Sequence, residues 1–394
     1  MPELDLIPRL FNEPTESYFL FGPRGTGKST MMQYRHHDDA LWVDLLLPQV
    51  LRRYLAHPEH LIDLINASPN IKTVIIDEVQ KAPSLLSIVH SLIEQKRGIQ
   101  FILTGSSARK LKRTSADLLG GRALKKIMHP FMAAELKNKF TLENALQFGM
   151  LPLVYAQPNP LNTLEGYVSL YLQEEIQAEG LVRNLESFAR FLEIITFSHG
   201  CQLNVANVAR ECEVKRKTVE NYINILEDLL LAYQIPVFTK RAQRELSTHA
   251  KFYLFDAGVF HVLKPRGPLD SHHELNGPLL EGLVAQHLKA WIDYSDEKYT
   301  LSYWRTRSGL EVDFIVYGPN VFYAIEVKHA KKIHSHDTKP LQAFLEDYPE
   351  AEALLLYRGD EYVRHGNVLC LPCEDFLLQL VPNKKFTNAS PTTA

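Results

Sequence analysis

Hydrophobic residues follow two patterns along the chain, short continuous runs and longer stretches with helical spacing. Continuous runs rich in β-branched and aromatic side chains predict buried parallel strands at residues 18–21, 73–77 and 100–103. Apolar residues at helical spacing predict packed helices over residues 161–197. Nearer the end of the chain, alternating patterns predict strands at residues 299–305, 311–316 and 321–328. The pattern therefore predicts an α/β chain with a helical middle segment.

A pair of short helices is predicted after that helical segment. Residues 204–211 have the pattern of a short helix, residues 212–215 that of a turn, and residues 216–230 that of a second helix. This is the spacing of a helix-turn-helix motif. Strands predicted at residues 234–238 and 251–255 would add a hairpin-like wing. We therefore predict a winged-helix module in this part of the chain.

Length and charge limit the classes of protein to which the chain can belong. At 394 residues it is longer than one hydrophobic core usually serves, so two or three domains are expected. Hydrophobic residues make up 45% and charged residues 23%, which excludes a wholly disordered chain. The formal net charge of -3 lacks the basic signature of a protein that coats nucleic acid. Any contact with DNA must therefore be local.

The sequence carries no pattern of export or membrane insertion. It has no run of about 18 apolar residues, and Glu3 and Asp5 stand where a signal peptide needs positive charge. Four cysteines are too few for a disulfide framework in a chain of this length. These observations predict a cytoplasmic protein with no membrane partner.

The pattern GxxxxGK(S/T) follows the first predicted strand and opens a helix. It consists of Gly22, Pro23, Arg24, Gly25, Thr26, Gly27, Lys28, Ser29 and Thr30. Glycines let backbone N–H groups turn toward phosphates, and the helix N-terminus adds its dipole. Lys28 is expected to reach the β- and γ-phosphates of a nucleotide, and Ser29 to supply a ligand to Mg²⁺. The alternative, a glycine turn that occurs by chance, does not explain the strand and helix around it.

The acidic pair Asp77 and Glu78 stands at the end of the strand predicted at residues 73–77. Asp77 can hold Mg²⁺ through water at the exit of the strand, and Glu78 can act as general base on the attacking water. An adjacent Asp-Glu pair favours ATP hydrolysis over GTPase chemistry. By itself such a pair is a weak signal, and only its combination with the phosphate loop makes it specific.

Two further residues are candidates for the same site. Ser106 follows the strand predicted at residues 100–103 and is expected to sense the γ-phosphate. A turn that only caps the following helix is the alternative. Arg122 is expected to reach into the site of a neighbouring subunit and stabilise charge in the transition state. A surface arginine after a helix-ending glycine is the alternative for Arg122.

The phosphate loop, the stretch IIDEVQK from Ile75, LTGSSARKL from Leu103 and the later GGR resemble AAA+ ATPases of archaea and bacteria. The resemblance covers residues 1–135. It implies a five-stranded parallel sheet between helices, ATP as ligand, and a homo-oligomer.

Basic residues cluster at the start of the second helix of the predicted winged-helix module. Lys215, Arg216 and Lys217 are suited to phosphates or base edges in a major groove, and Lys240 and Arg241 would lie in the wing. We predict that these residues contact DNA. A protein contact or a solvated helix face is the alternative.

Acidic residues interrupt the apolar pattern of the C-terminal strands. Asp313 lies on the second of these strands, while Glu326 and Lys328 share one face of the third. Such charges are costly in apolar strands unless a metal or an opposite charge compensates them. Asp313 and Glu326 can bind Mg²⁺ or Mn²⁺, and Lys328 can orient or deprotonate water. The chemistry predicted for this constellation is phosphodiester hydrolysis.

With Glu281 on a preceding predicted helix, this constellation resembles the PD-(D/E)xK nuclease superfamily. The stretches YWRTRSGLEVDFIV from Tyr303 and AIEVK from Ala324 resemble an uncharacterised domain that follows AAA+ modules of this type. The resemblance implies a restriction-endonuclease-like α/β fold. A retained but inactive scaffold is the alternative, because fold does not guarantee activity.

We therefore predict an AAA+ core at residues 1–135, a helical lid and winged-helix connector at 136–264, a nuclease-like domain at 265–383 and a disordered tail at 384–394. Residues 265–278 read as a linker or domain edge. The predicted function is ATP hydrolysis coupled to DNA engagement, with metal-dependent DNA cleavage as a further hypothesis. The rival is a nucleotide-dependent switch that binds protein partners and carries an inactive nuclease-like domain.

Overall fold

The computed structural model describes residues 6–37, 39–106, 119–171, 184–240, 249–265, 267 and 272–386. The chain forms two compact units. The smaller unit comprises Phe11–His129 and Glu227–Leu230, and the larger unit comprises Met1–Leu10, Pro130–Leu226 and Leu231–Ala394. Within the described ranges, no helix combines the length and apolar character needed to cross a lipid bilayer.

The smaller unit is built on a parallel sheet of five strands. They are β1 (Tyr18–Phe21), β2 (Ala40–Asp44), β3 (Thr73–Asp77), β4 (Gln100–Gly105) and β5 (Leu124–Ile127). Their order is β2-β3-β4-β1-β5, and every neighbouring pair is parallel. Each residue of β3 is buried, which explains its continuous β-branched run. The expected five-stranded parallel sheet is confirmed.

Helices of the smaller unit pack against this sheet. They are α1 (Lys28–Arg35), α2 (Pro48–Ala56), α3 (His60–Ala67) and α4 (Leu85–Glu94). Alternate strand residues, among them Phe19, Val74 and Ile76, form one core with Leu85 and Val89 of α4. This packing fixes the carboxyl ends of the strands, where the candidate nucleotide residues lie.

The larger unit begins with short helices and a small antiparallel sheet. The helices are α5 (Ala133–Leu136), α6 (Leu142–Phe148), α7 (Pro152–Tyr155), α8 (Pro160–Gly166), α9 (Leu185–Ile195), α10 (Val205–Glu211), α11 (Arg216–Asp228) and α12 (Ala257–Leu263). The strands are β6 (Cys201–Gln202), β7 (Ala232–Ile235) and β8 (Lys251–Leu254), in the order β6-β8-β7. The predicted helix pair is thus present as α10 and α11. The second helix ends at Asp228, before the predicted residue 230, because Leu230 has a left-handed backbone with φ of 60°.

A six-stranded mixed sheet forms the C-terminal part of the larger unit. Its strands are β9 (Thr300–Arg305), β10 (Glu311–Gly318), β11 (Val321–Lys328), β12 (Glu352–Tyr357), β13 (Val363–His365) and β14 (Val368–Pro372). Their order is β13-β14-β12-β11-β10-β9. Helices α13 (His272–Tyr294), α14 (Lys339–Asp347) and α15 (Cys373–Gln379) complete this part. The three predicted C-terminal strands are confirmed as β9, β10 and β11.

Residues 265–278 were predicted as a linker or a domain edge, and of these two only the linker is wrong, for its second half, because α13 begins at His272 and contains Pro278. Proline removes one helical hydrogen bond, so composition alone favours a break there. Burial of Leu279, Leu280 and Leu283 on the same helix outweighs that local cost.

Candidate nucleotide site and a second carboxylate cluster

The phosphate loop connects β1 to α1 in the smaller unit. Gly25 and Gly27 have left-handed φ angles of 81° and 84°, and Gly27 is the N-cap of α1. At Gly22 a Cβ atom would lie 2.4 Å from the carbonyl oxygen of Met128. Glycine is therefore required at these positions by backbone conformation or by close packing, as the motif predicts.

Lys28 lies at the first position of α1 and is 6% exposed. Its Nζ donates hydrogen bonds to the carbonyl oxygens of Gly22, at 2.6 Å, and Pro23, at 3.1 Å. Thr26 Oγ1 also donates to Pro23 O, at 2.8 Å. A buried ammonium at a helix N-terminus makes the loop electropositive, which is the environment that phosphate groups require.

Asp77 ends β3 and is 3% exposed. Its carboxylate accepts a hydrogen bond from the hydroxyl of Thr104, and Thr104 Oγ1 accepts one from Glu78 N at 3.2 Å. Because β4 lies between β3 and β1, the residues at its end stand between Asp77 and the phosphate loop. The sheet thus brings the predicted magnesium ligand to the same edge as the loop.

Glu78 has a left-handed backbone with φ of 59°, which is uncommon for a residue other than glycine. Gln80 Nε2 donates to Glu78 Oε2 at 2.5 Å and to Ser106 Oγ at 3.2 Å. At Gly105 a Cβ atom would lie 2.5 Å from Gln80 Oε1. A chain of hydrogen bonds therefore links the candidate base to the candidate phosphate sensor.

Gln80 and Thr104 are site residues that the sequence patterns did not single out. Thr104 was visible as a polar residue ending an apolar strand, next to Ser106. Gln80 gave a weaker signal, because it follows Glu78 in a single 3₁₀ turn, Val79–Lys81, whose geometry the sequence does not define.

Arg122 lies on the surface of the smaller unit, where its guanidinium forms an ion pair with Glu94 of α4. It also donates to Gly120 O at 3.4 Å. A role for Arg122 in the site of a neighbouring subunit stays a prediction.

A second cluster of charged residues lies in the larger unit, around the ammonium group of Lys251 on β8. This side chain is 1% exposed. Its Nζ lies 2.9 Å from Glu281 Oε1 on α13, 2.6 Å from Glu311 Oε1 and 3.1 Å from Asp313 Oδ1, both on β10. Tyr253 also donates to Glu281 Oε1, at 2.6 Å. Glu281 and Asp313 were predicted from the sequence, whereas Lys251 and Glu311 were missed.

Burial governs the ionisation of this cluster. Burial and, after it, the negative charge of Asp313 raise the pKa of Glu281 to about 7. Burial lowers the pKa of Lys251, but the surrounding carboxylates, Glu281 first, outweigh it and hold that pKa well above its ordinary value. Lys251 is therefore cationic at neutral pH.

Glu326 and Lys328 lie beside this cluster on β11. Lys328 Nζ donates to Glu326 Oε1 at 2.5 Å, and Asp313 Oδ2 accepts from Val327 N at 3.0 Å. The pairing of β9 with β10 is irregular between Val312 and Ile315, which is where Asp313 lies. The structure thus brings Glu281, Asp313, Glu326 and Lys328 into one region, as the nuclease-like pattern predicts.

The residues of this region do not fit a divalent ion as they are arranged. The described ranges contain no group of three or more His, Cys, Asp or Glu side chains placed to hold one metal ion. Two carboxylates of the nuclease-like pattern, those of Glu281 and Asp313, form ion pairs with the Lys251 ammonium instead. The predicted Mg²⁺ or Mn²⁺ site at Asp313 and Glu326 therefore lacks support from the geometry.

The predicted DNA contacts lie partly on the surface of the larger unit. Lys215, Arg216 and Lys217 are exposed at the start of α11, where Arg216 Nε donates to Glu220 Oε1 at 2.9 Å. Lys240 is exposed and places Nζ 4.0 Å from the ring centre of Tyr317. Arg241 lies outside the described residues.

Three family models match successive parts of the chain. Residues 14–137 match an AAA domain, residues 139–270 a domain of unknown function (DUF8612), and residues 276–376 another domain of unknown function (DUF4143). The first match agrees with the parallel sheet and the phosphate loop of the smaller unit, and indicates an AAA-type nucleotide-binding domain over residues 14–137.

Known relatives at low identity span most of the chain. Two uncharacterized proteins of Methanocaldococcus jannaschii are similar to it. One is 22% identical over 78% of this chain and 73% of its own length, and the other is 23% identical over 93% of this chain and 85% of its own length. Among solved structures, AMPPCP-bound DnaA from Aquifex aeolicus is 15% identical over 54% of this chain and 82% of that chain, with a TM-score of 0.27. This TM-score is too low to establish a shared architecture.

Proposed function

We propose that this chain hydrolyses ATP at the phosphate loop of its smaller unit and couples that reaction to DNA engagement by its larger unit. The observation that carries the proposal is the hydrogen-bonded edge at the ends of β3 and β4. There Thr104 holds Asp77, and Gln80 holds both Glu78 and Ser106.

Residues 22–30 would bind the phosphates of ATP, with Lys28 as their cationic partner. Ser29 and Asp77 would hold Mg²⁺, which supplies positive charge beside the phosphates when it is bound. The fit rests on features of this chain. These are a glycine loop with no space for Cβ at Gly22, a buried ammonium, and a buried carboxylate at the neighbouring strand end.

Hydrolysis needs a base for the attacking water, and Glu78 would take that role. Its carboxylate would accept a proton from water while the water oxygen bonds to the γ-phosphorus and the bond to the bridging oxygen breaks. ADP and inorganic phosphate leave. Gln80 would orient Glu78 and link it through hydrogen bonds to Ser106. In a homo-oligomer, Arg122 would reach into the site of the adjacent subunit and stabilise charge in the transition state.

DNA engagement is proposed for the start of α11. Lys215 and Lys217 are exposed there, and a helix N-terminus favours phosphate through its dipole. Because the chain as a whole carries a net charge of -3, this contact must be local and salt-sensitive.

ATP turnover by the purified chain tests both parts of the proposal. Phosphate release would be measured with Mg²⁺ in the absence of DNA and with single-stranded, duplex and branched DNA. We expect Glu78→Gln to lower kcat by about 10²- to 10⁴-fold while ATP still binds. Glu59→Gln, on the same unit and outside the site, is the matched control. Turnover that survives Glu78→Gln would remove Glu78 as the base.

The rival function is a nucleotide-dependent switch with protein partners and a nuclease-like domain that does not cleave DNA. The ion pairs of Lys251 with Glu281 and Asp313 favour this rival, because they occupy the carboxylates that a nuclease needs. It predicts ATP turnover that no form of DNA changes. It also predicts no strand cutting with Mg²⁺ or Mn²⁺, whereas cutting that Lys328→Ala abolishes would restore the cleavage hypothesis.

A further inference from the structure

The charged cluster of the larger unit holds an ammonium group at its centre. Four carboxylates gather there, from Glu281, Glu311, Asp313 and Glu326. Three cationic side chains face them, and one of these is Lys251. The other two are Arg305, whose Nη1 lies 2.6 Å from Glu311 Oε2, and Lys328, whose Nζ lies 2.5 Å from Glu326 Oε1. Three of the four carboxylates, those of Glu281, Glu311 and Asp313, share the single positive charge of Lys251.

Lys251 is held at this position by the strand that carries it. It is paired with Gln202 of β6 and with Ile235 of β7, so its backbone is fixed on both sides. The chain after β7 is hydrogen-bonded to β9, through Phe238 N to Tyr303 O at 2.7 Å and Tyr303 N to Pro236 O at 3.0 Å. The ring of Tyr303 lies 5.4 Å from Lys251 Nζ. Strand pairing on both sides thus fixes the backbone from which the ammonium reaches the carboxylates.

One polar atom beside the ammonium site is not satisfied. Among the described residues, Glu326 Oε2 is a buried side-chain oxygen without a hydrogen-bond partner, and Glu326 is 3% exposed. Buried polar atoms in native proteins are nearly always paired, so this oxygen marks a position suited to a cation. The carboxylates thus have the oxygen chemistry of a metal site, while a side chain of the same protein supplies the charge.

We propose that Lys251 is the resident cation of this cluster and replaces a divalent ion, so that the folded chain binds no Mg²⁺ or Mn²⁺ there. Removal of the ammonium would leave four carboxylates facing two cations, and a divalent ion would then balance the charge. The carboxylate cluster is therefore a latent metal site that Lys251 closes. This inference does not depend on ATP hydrolysis or on DNA binding by the chain.

Manganese binding to nucleotide-free protein tests the proposal. Titration with MnCl₂, followed by the electron paramagnetic resonance signal of free Mn²⁺, would compare the parent chain, Lys251→Met, Asp313→Asn and the double variant. We expect Lys251→Met to gain one bound Mn²⁺ that Lys251→Met/Asp313→Asn does not bind. The parent chain should bind no ion whose binding depends on Asp313.

Lys289→Met makes the same change at a partly exposed site on α13, and is expected to behave like the parent. Circular dichroism would establish that each variant is folded. A folded Lys251→Met chain that gains no Mn²⁺ would overturn the proposal, as would Mn²⁺ binding by the parent that Asp313→Asn abolishes. If Lys251→Met does not fold, the comparison of the parent with Asp313→Asn still decides the question.

Discussion

Gln80 is the residue through which the candidate base and the candidate phosphate sensor contact each other. Its amide nitrogen donates to Glu78 and to Ser106. The phosphate loop has separate hydrogen bonds, among them the one from Lys28 Nζ to Gly22 O. We expect Gln80→Ala to lower kcat for ATP hydrolysis about tenfold, because Glu78 loses its orientation. KM for ATP should stay unchanged. Steady-state kinetics would measure both values, and a rise in KM with unchanged kcat would instead assign Gln80 to nucleotide binding.

His287 is a buried histidine whose two ring nitrogens are both bonded. Nε2 accepts from Ala133 N at 3.0 Å, and Nδ1 lies 2.8 Å from Leu283 O, to which it donates. Burial lowers the pKa of His287 to about 4. The unfolded chain therefore binds more protons between pH 6.5 and about 4, and stability falls as pH falls through this window.

The contribution of His287 to this decrease in stability is about 2 kcal/mol between pH 7 and pH 5. Urea unfolding at both pH values would compare the parent with His287→Gln, whose side chain cannot titrate. The variant should be destabilised less by acidification. Equal destabilisation of the two chains would show that another group governs the acid sensitivity.

At the scale of elements, Asp256 is the N-cap of α12 and joins that helix to the segment before α7. Its Oδ1 accepts from Gly258 N at 2.9 Å and Val259 N at 3.1 Å, and its Oδ2 accepts from Met150 N at 2.8 Å. The adjoining Gly149 has a left-handed φ of 74°, and a Cβ there would lie 2.0 Å from Asp256 Oδ1. One carboxylate thus satisfies donors of two elements.

Asp256→Ala should cost about 3 kcal/mol, because it leaves three buried N–H groups without their acceptor. Thr141→Ala removes an ordinary exposed N-cap, that of α6, and should cost about 1 kcal/mol. Chemical denaturation of both variants would measure the two costs. Similar values would mean that Asp256 acts only as a helix cap.

At the scale of the whole molecule, the proposed function requires that DNA bound by the larger unit alter ATP turnover in the smaller one. Lys215→Ala/Lys217→Ala should abolish stimulation by DNA, while turnover without DNA stays unchanged. DNA affinity should fall, and its dependence on salt should weaken by about one unit of slope for each phosphate that is no longer neutralised. Lys384→Ala/Lys385→Ala removes the same charge from another exposed segment, and is the control. If DNA still stimulates ATP turnover by the Lys215→Ala/Lys217→Ala variant, the DNA-binding surface lies elsewhere on the chain.

Sequence by itself determined the features that depend on residues close together in the chain. Local patterns predict the phosphate loop, the Asp77 and Glu78 pair, the strands β1, β3 and β4 and the helices α10 and α11, because backbone conformation and hydrophobic period are local properties. They did not predict strand β2. Of the two alternatives for residues 265–278, a linker or a domain edge, the linker failed in part because burial of α13 is not a local property.

Only the tertiary structure decided which distant side chains meet. Lys251 contacts Glu281 and Asp313 because β8, α13 and β10 converge, and no sequence period specifies that convergence. In the same way, strand order places Thr104 beside Asp77. The sequence contained the charges of both sites, but a buried charge is defined by its partners, and the partners were set by packing.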